Sequence, residues 1–214
     1  MSEEPHKSTS QVSNYSDIFL PSEFFHAYNH GNGDDNLFRS DDNYHYFLSK
    51  YKDHLISISE IYAYCLMPNH FHFLLRIQDE HLLIPYFKLD NDLKLLEKLP
   101  ELISKKFSNY FNAYSKAFNK RHDRIGRLFR SSLKRKQVGD ENYLRQPVRY
   151  IHYNPIHHGF VRQLTDWPYS SYHSFINEEE SFIQKDTVFE WFGGEKGFNE
   201  FHQQPPDIEI DIEV

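Results

Sequence analysis

A chain of 214 residues, 39% hydrophobic and 17% aromatic, has enough apolar side chain for one substantial domain with appendages and too much for a disordered chain. No apolar run approaches the roughly 20 residues that cross a bilayer, and Met1-Ser2-Glu3-Glu4-Pro5 lacks the basic and apolar regions of a signal peptide, so a soluble, cytoplasmic protein without a membrane partner is expected. The single cysteine, Cys65, excludes an internal disulfide and reads as a buried thiol, and the net charge of −7 speaks on average against a nucleic-acid partner.

In chain order, residues 1–20 are polar, Ser-rich and expected to be disordered. Glu23 to Asn29 reads as a strand that ends in the turn-forming Asn29-His30-Gly31-Asn32-Gly33. Ser40 is a candidate N-cap for a helix with Tyr44, Phe47, Leu48, Tyr51 and Leu55 on one face. A second strand, Ile56 to Leu66, reverses at Pro68-Asn69 into a third, His70 to Ile77. Ile103, Phe107, Tyr110, Phe111, Tyr114 and Phe118 recur at helical spacing and predict a long amphipathic helix. Ile125 to Val138 reads as a basic strand, and Asp140 caps a helix that runs to Asn154, where Pro155 should stop it. Pro147, in the path of that helix, implies either a kink or a new start with the proline in the first turn.

Strand, helix, two strands, helix, strand and helix is the order of an α+β fold. Its first six elements match a ferredoxin-like split βαβ sandwich, an antiparallel sheet with helices on one face, followed here by a C-terminal helix. The domain is expected over 21–175, with a small extension at 176–202 and an acidic tail at 203–214.

Charge is unevenly distributed. Between Ser104 and Gln137 lie Lys105, Lys106, Lys116, Lys120, Arg121, Arg124, Arg127, Arg130, Lys134, Arg135 and Lys136 against one acid, Asp123. Such a stretch is either a solvated helix face or a phosphate-binding surface on which Tyr110 or Phe129 would stack bases.

His70 and His72 are two apart in a strand, so their side chains share a face with Cα atoms about 6.6 Å apart, and two imidazoles can then grip one cation. With 14 histidines in the chain, about one such pair arises by chance, and a bland surface pair is the competing reading. Tyr150 and Asn154, at i and i+4, bring a phenol and an amide oxygen to one helix face. The competing reading makes Tyr150 a packing residue and Asn154 a helix terminus.

The stretch Ala63-Tyr64-Cys65-Leu66-Met67-Pro68-Asn69-His70-Phe71-His72-Phe73-Leu74-Leu75 resembles the signature of the single-tyrosine HUH transposases of the smallest bacterial insertion sequences, in particular their REP-associated tyrosine transposase branch. Phe25 to Gly31, Tyr150 to Val161 and Asp166-Trp167-Pro168-Tyr169-Ser170-Ser171-Tyr172 agree with that branch in order and spacing. The resemblance spans roughly residues 23 to 173, and it reverses both competing readings.

It implies that His70, His72 and Asn154 hold a divalent metal, Mg²⁺ or Mn²⁺, and that Tyr150 is the nucleophile, forming a 5′-phosphotyrosine at single-stranded DNA beside a hairpin or repeat. No nucleotide cofactor is needed. Arg149, which could equally be a surface residue, and His152 are accessory candidates that line or flank the site. Trp167, Tyr169 and Tyr172 are expected to fasten the following chain to the core. The extension, including Val188 to Gly194, reads as a packing or DNA-contacting unit outside the catalytic pattern. A monomer is favoured over a homodimer. The alternatives are a non-enzymatic DNA-binding descendant of the same fold and a metal-dependent phosphodiesterase that does not use the tyrosine.

Overall fold

The strands β1 (Phe24–His30), β2 (Ser59–Met67), β3 (His70–Ile77) and β4 (Lys134–Val138) pair in the order β2-β3-β1-β4, every pair antiparallel. With α1 (Asp41–Leu55) between β1 and β2 and α4 (Leu99–Arg121) between β3 and β4, this is the expected ferredoxin-like sandwich. The computed structural model describes residues 17–89, 93–139, 143–177 and 181–204. Most of the expected disordered start, most of the acidic tail and the proposed cap Asp140 lie outside the described residues.

Alternation assigns the two sides of the sheet. On one side Phe25, Phe71, Phe73 and Leu75 are buried beneath α1 and α4. Phe47 of α1 sits among Phe71 at 5.2 Å, Tyr110 at 5.1 Å and Tyr114 at 4.8 Å, ring centre to ring centre. The buried hydroxyls are satisfied internally: Tyr110 donates to the Phe47 carbonyl at 3.2 Å and Tyr114 to the Leu37 carbonyl at 2.5 Å. Tyr110 and Phe129 are therefore core residues, 0% and 6% exposed, and cannot stack on a base. For Tyr110 the helical periodicity that located it also placed it on the inward face, and Phe129 packs from the loop after α4 against Phe111 at 5.1 Å.

The other side carries His26, Tyr28 and His30 of β1 beside His72 and His70 of β3, with Tyr28 opposite His72 and His30 opposite His70. A shift of register between Ile61 and Ala63 inserts Tyr62 as an extra residue in β2, so Ala63, Cys65 and Met67 fall on the histidine side as well. Helix α5 (Arg145–His157) covers this side, with Val148 and Ile151 fully buried. Pro147 lies in its first turn, where a missing N–H loses no helical bond.

Several local expectations change. Pro155 does not end α5: the last turn continues to His157, where the buried Asn154 and Pro155 are held by tertiary packing, and Gly159 at φ +72° makes the stop. The basic strand begins only at Lys134, because residues 122–133 form a loop in which Gly126 takes φ +98° and Arg124 reaches the Asp35 carboxylate, Asn119 and the Arg127 carbonyl. Ser40 occupies the N-cap position of α1 without a side-chain cap; the Asn43 side chain instead accepts the Arg39 N–H at 3.0 Å. Helices α2 (Glu80–Phe87) and α3 (Leu93–Leu96) stand between β3 and α4, where no element was predicted. Phe19, within the amino-terminal segment expected to be frayed, is buried and stacks on Phe107 at 4.5 Å.

Beyond α5, Trp167 donates its indole N–H to the Leu66 carbonyl at 3.0 Å, and Tyr169 stacks on Tyr44 with ring centres 3.5 Å apart. These contacts fasten the chain along the free edge of β2, as predicted. Helices α6 (Tyr172–Ile176), α7 (Lys185–Trp191) and α8 (Glu195–His202) then pack with Phe175, Val188, Phe192 and Phe198 buried, and Trp191 lies on Tyr62. Among the described residues no helix is long and apolar enough to cross a membrane.

Because Phe47 is wholly buried among aromatic rings, Phe47→Ala is expected to lower the unfolding free energy by about 3–5 kcal/mol. Urea unfolding should show this as a lower midpoint with an unchanged slope.

Candidate active site

The histidine side of the sheet concentrates buried polar groups. His70 is 3% exposed and His72 0%, and the rings stand 5.3 Å apart at 84°. Their neighbours on β1, His26 and His30, stack on His72 and His70 at 5.1 and 4.8 Å respectively. One nitrogen of each of the paired histidines is spent locally: His72 Nδ1 lies 2.9 Å from His26 Nε2, and His70 Nδ1 lies 2.8 Å from Asn69 Oδ1.

The remaining nitrogens face α5. His70 Nε2 is 2.9 Å from Asn154 Oδ1, whereas His72 Nε2 and Asn154 Nδ2 are buried without a hydrogen-bond partner. Tyr150 stands edge-on above His72 at 5.8 Å and His26 at 6.1 Å. One helical face thus delivers the phenol and the amide to the paired imidazoles.

Burial sets the electrostatics. It lowers His26 to about 3 and His70 to about 4, with the charge of Lys136 adding to the first and the Asn154 hydrogen bond opposing the second; His72 lies well below its ordinary value for the same main reason. All three rings are neutral at physiological pH, the form that binds metal. Burial raises the Tyr150 phenol, reinforced by Tyr28 and opposed by the neighbouring Asn154 amide.

The donor set fits a divalent cation. A neutral His70 ring has one N–H, yet both its nitrogens face amide oxygens; a cation at Nε2 and Asn154 Oδ1 removes that conflict. Adjacent ligands of an octahedral ion bonded at about 2.1 Å lie about 3 Å apart, close to the 2.9 Å observed between those atoms. The orphaned His72 Nε2 would supply a further ligand atom. The set is lean: among the described residues no three His, Cys, Asp or Glu side chains group to hold a metal.

A cleft of about 410 Å³ opens beside His70, lined by His30, Asn36, Pro68, Asn69, His70, His158 and Phe160. A larger cavity, about 500 Å³, lies between α1 and α4 and includes none of the paired histidines, Tyr150 or Asn154.

The basic residues divide. Lys134 and Lys136 pair with Tyr28 and His26 and so share the histidine side, while Arg127 and Arg130 are exposed on the loop, with the Arg130 N–H bonded to the His30 carbonyl. Lys105, Lys116 and Lys120 are exposed on α4, across the sheet from the histidines. Others are committed within the fold: Arg121 to Asp42 at 2.6 Å, Arg124 to Asp35, Lys106 to the Tyr86 hydroxyl at 2.7 Å, and Arg135 to Phe19 and the Asp17 carbonyl.

Arg149 and His152 are not at the site. Both are buried, 3% and 1% exposed, on the side of α5 turned toward α8. Sequence reasoning also passed over His26, Asn69 and His30. The alternation of His26, Tyr28 and His30 in a strand was the available signal for the β1 pair, but only strand pairing shows that they face His72 and His70.

Because folding favours the neutral rings, their contribution to stability is complete above the ordinary histidine value of 6.5 and is lost as pH falls toward the lowered values of about 4 for His70 and about 3 for His26. Each such proton weakens the fold by about 1.4 kcal/mol per pH unit in that window. Thermal melts should be nearly level from about pH 8 to 7 and drop steeply between about pH 6.5 and 4; a level profile through the acid range would contradict the assignment.

No protein-family model matches the chain. A REP-associated tyrosine transposase of Haemophilus influenzae is 26% identical over 120 residues, 56% of this chain and 62% of that protein. The REP-associated tyrosine transposase of Escherichia coli K12 is 52% identical over 29 residues, 14% of this chain and 18% of that one. The chain thus spans less than two thirds of the length of these curated relatives. In fold it is similar to the solved structure of a REP-associated tyrosine transposase bound to a REP hairpin, with a TM-score of 0.54 and 20% identity over 77% of this chain and 86% of that one. The chain is thus similar in sequence, over part of its length, and in fold to REP-associated tyrosine transposases.

Proposed function

We propose that this chain is a transposase that nicks and rejoins single-stranded DNA beside a hairpin or repeat, with Tyr150 as nucleophile and a divalent metal at His70, His72 and Asn154. The observation that carries the reading is the stance of one α5 face over the paired imidazoles, with Asn154 Oδ1 2.9 Å from His70 Nε2 and the Tyr150 ring 5.8 Å from that of His72. The named relatives support it, as does the REP hairpin bound by the protein of similar fold.

In this reading Tyr150 Oη attacks the scissile phosphorus. The P–Oη bond forms, the bond to the 3′ oxygen breaks, the phenol loses its proton and the departing oxygen gains one, leaving a 5′-phosphotyrosine and a free 3′-hydroxyl. Because one phosphodiester replaces another, a later 3′-hydroxyl reverses the step on new DNA without nucleotide hydrolysis. When bound, Mg²⁺ or Mn²⁺ supplies Lewis-acid polarisation of the phosphate and favours the phenolate. The Asn154 amide beside the phenol opposes the effect of burial on its ionisation, and His26 and Asn69 fix the rings of His72 and His70. Two imidazoles are softer than Mg²⁺ prefers, so Mn²⁺ should bind more tightly.

Lys134, Lys136, Arg127 and Arg130 are the phosphate contacts nearest the histidines. Of the other cations named, Lys105, Lys116 and Lys120 offer a second surface across the sheet, which a hairpin would reach only by extending around the edge at β4.

The test is incubation with a single-stranded, hairpin-bearing oligonucleotide and Mn²⁺ followed by denaturation. A covalent adduct is expected, abolished in Tyr150→Phe and reduced at least about 100-fold in His70→Ala or His72→Ala, while hairpin binding changes little because phosphate contacts dominate affinity. Binding without an adduct in the wild type indicates the non-enzymatic descendant, and cleavage that survives Tyr150→Phe indicates a phosphodiesterase. Lys134→Gln should lower the slope of log affinity against log salt by about 0.7–0.9, the loss of one phosphate contact; an unchanged slope removes Lys134 from the interface.

A further inference from the structure

Three side chains that the proposed chemistry does not use form an unbroken hydrogen-bonded line behind α5. His202 Nδ1 faces the Phe198 carbonyl at 2.9 Å, so it carries the proton and Nε2 must accept. That nitrogen lies 3.0 Å from His152 Nδ1, which therefore donates. His152 Nε2 in turn accepts from the Ser171 hydroxyl at 2.8 Å, and Ser171 Oγ takes the Tyr64 backbone N–H at 2.8 Å. The carbonyl at the α8 end fixes the tautomers of both rings, and the Ser171 hydroxyl, which also lies 3.2 Å from the Tyr64 carbonyl, has the closer acceptor in His152 Nε2. Burial holds both rings neutral, His202 near 4 and His152 well below its ordinary value, which preserves that arrangement at neutral pH.

The order serine, histidine, orienting group has the chemistry of an activated nucleophile. Here it is sealed: Ser171 is 0% exposed, His152 1% and His202 3%, so no substrate reaches it. What the line does is mechanical, since it ties α8 through α5 to β2. Beside it, one turn earlier on α5, the Arg149 guanidinium lies over the Phe201 ring of α8 at 4.1 Å.

Arg149 and His152 occupy one stripe of α5, and Tyr150 and Asn154 another. At about 100° per residue the two stripes are roughly 150° apart, so α5 is gripped between the sheet and α8. A side-chain tip about 5–6 Å from a helix axis moves roughly 1 Å for each ~10° of rotation, and a misplacement of about 1 Å can slow a reaction about 100-fold.

We propose that His202 is a positioning residue: through His152 it sets the rotation of α5 and with it the aim of Tyr150 and Asn154 at the paired histidines. The extension after Phe175 is then part of the frame of the active site rather than an accessory to it. This rests on the reading of Tyr150 as nucleophile and Asn154 as ligand.

The test uses the full chain with His202→Phe, which keeps ring volume but breaks the line, and His202→Gln, whose amide can accept from His152 and donate to the Phe198 carbonyl. With saturating DNA and Mn²⁺, His202→Phe is expected to form the covalent adduct at least about tenfold more slowly at unchanged DNA affinity, and His202→Gln to recover most of the rate. Combining His202→Phe with His152→Phe should slow the step no further than the slower single variant, because the two act as one unit. Mn²⁺ affinity by electron paramagnetic resonance should fall several-fold in His202→Phe, since Asn154 moves with α5; this readout does not depend on activity.

A wild-type rate and wild-type Mn²⁺ affinity in His202→Phe would overturn the proposal, as would equal slowing by Phe and Gln or a parallel loss of DNA binding. If His202→Phe does not fold, Ser171→Ala, at the other end of the line, carries the same expectations. A wild type that forms no adduct refutes the tyrosine reading instead, and the Mn²⁺ affinities of the variants still decide the role of His202.

Discussion

The two-residue alternation of the central strands β1 and β3 is the constraint on which the rest depends. It sends Phe25, Phe71, Phe73 and Leu75 into an aromatic core under α1 and α4, and in the same stroke sends His26, His30, His70 and His72 to the opposite side. A shift of one residue in either strand would exchange the faces, burying imidazoles among phenylalanines. The depth of the aromatic core therefore protects the alignment of the histidines.

That alignment leaves polar atoms unpaired. His72 Nε2 and Asn154 Nδ2 have no hydrogen-bond partner, and His70 meets an oxygen at both nitrogens. Unmet buried polar groups of this kind cost about 1–3 kcal/mol each, and folds keep them where a ligand completes them. The cluster is neutral because it is buried, and a neutral cluster of imidazoles facing an amide oxygen and a phenol is suited to a cation and to the phosphate a cation would bring. The strain on stability and the capacity for chemistry arise from the same atoms.

The surface charge follows a different logic. Net charge of −7 conceals a cationic surface, but folding sorts the cations further. Arg121, Arg124 and Arg135 are spent on Asp42, Asp35 and the Asp17–Phe19 segment, which fastens the loop after α4 and the chain before β1. Lys134 and Lys136 stay on the histidine side by virtue of strand register alone.

Much of the fold was legible in the sequence, because it rests on short-range periodicities: period two in β1 and β3, heptad-like spacing in α1 and α4, and a Pro-Asn reversal between β2 and β3. His70, His72, Tyr150 and Asn154 were singled out as well: their spacings within a strand and a helix bring each pair to one face, but spacing left a packing or surface reading open for both pairs, and the resemblance of the surrounding stretches was needed to reverse it. Local signals failed where tertiary contacts overrode them, as at Pro155, which a buried last turn carries through, and at Ile125 to Val138, where side-chain bonds to Asp35 and Asn119 hold a loop. What only the tertiary structure decided is which faces meet: that α5 turns its tyrosine stripe to the sheet and its Arg149–His152 stripe to α8, and that His26 stands behind His72. Residues 46 and 50 positions apart in the chain become hydrogen-bonded neighbours there, and no local pattern encodes a partner at that distance.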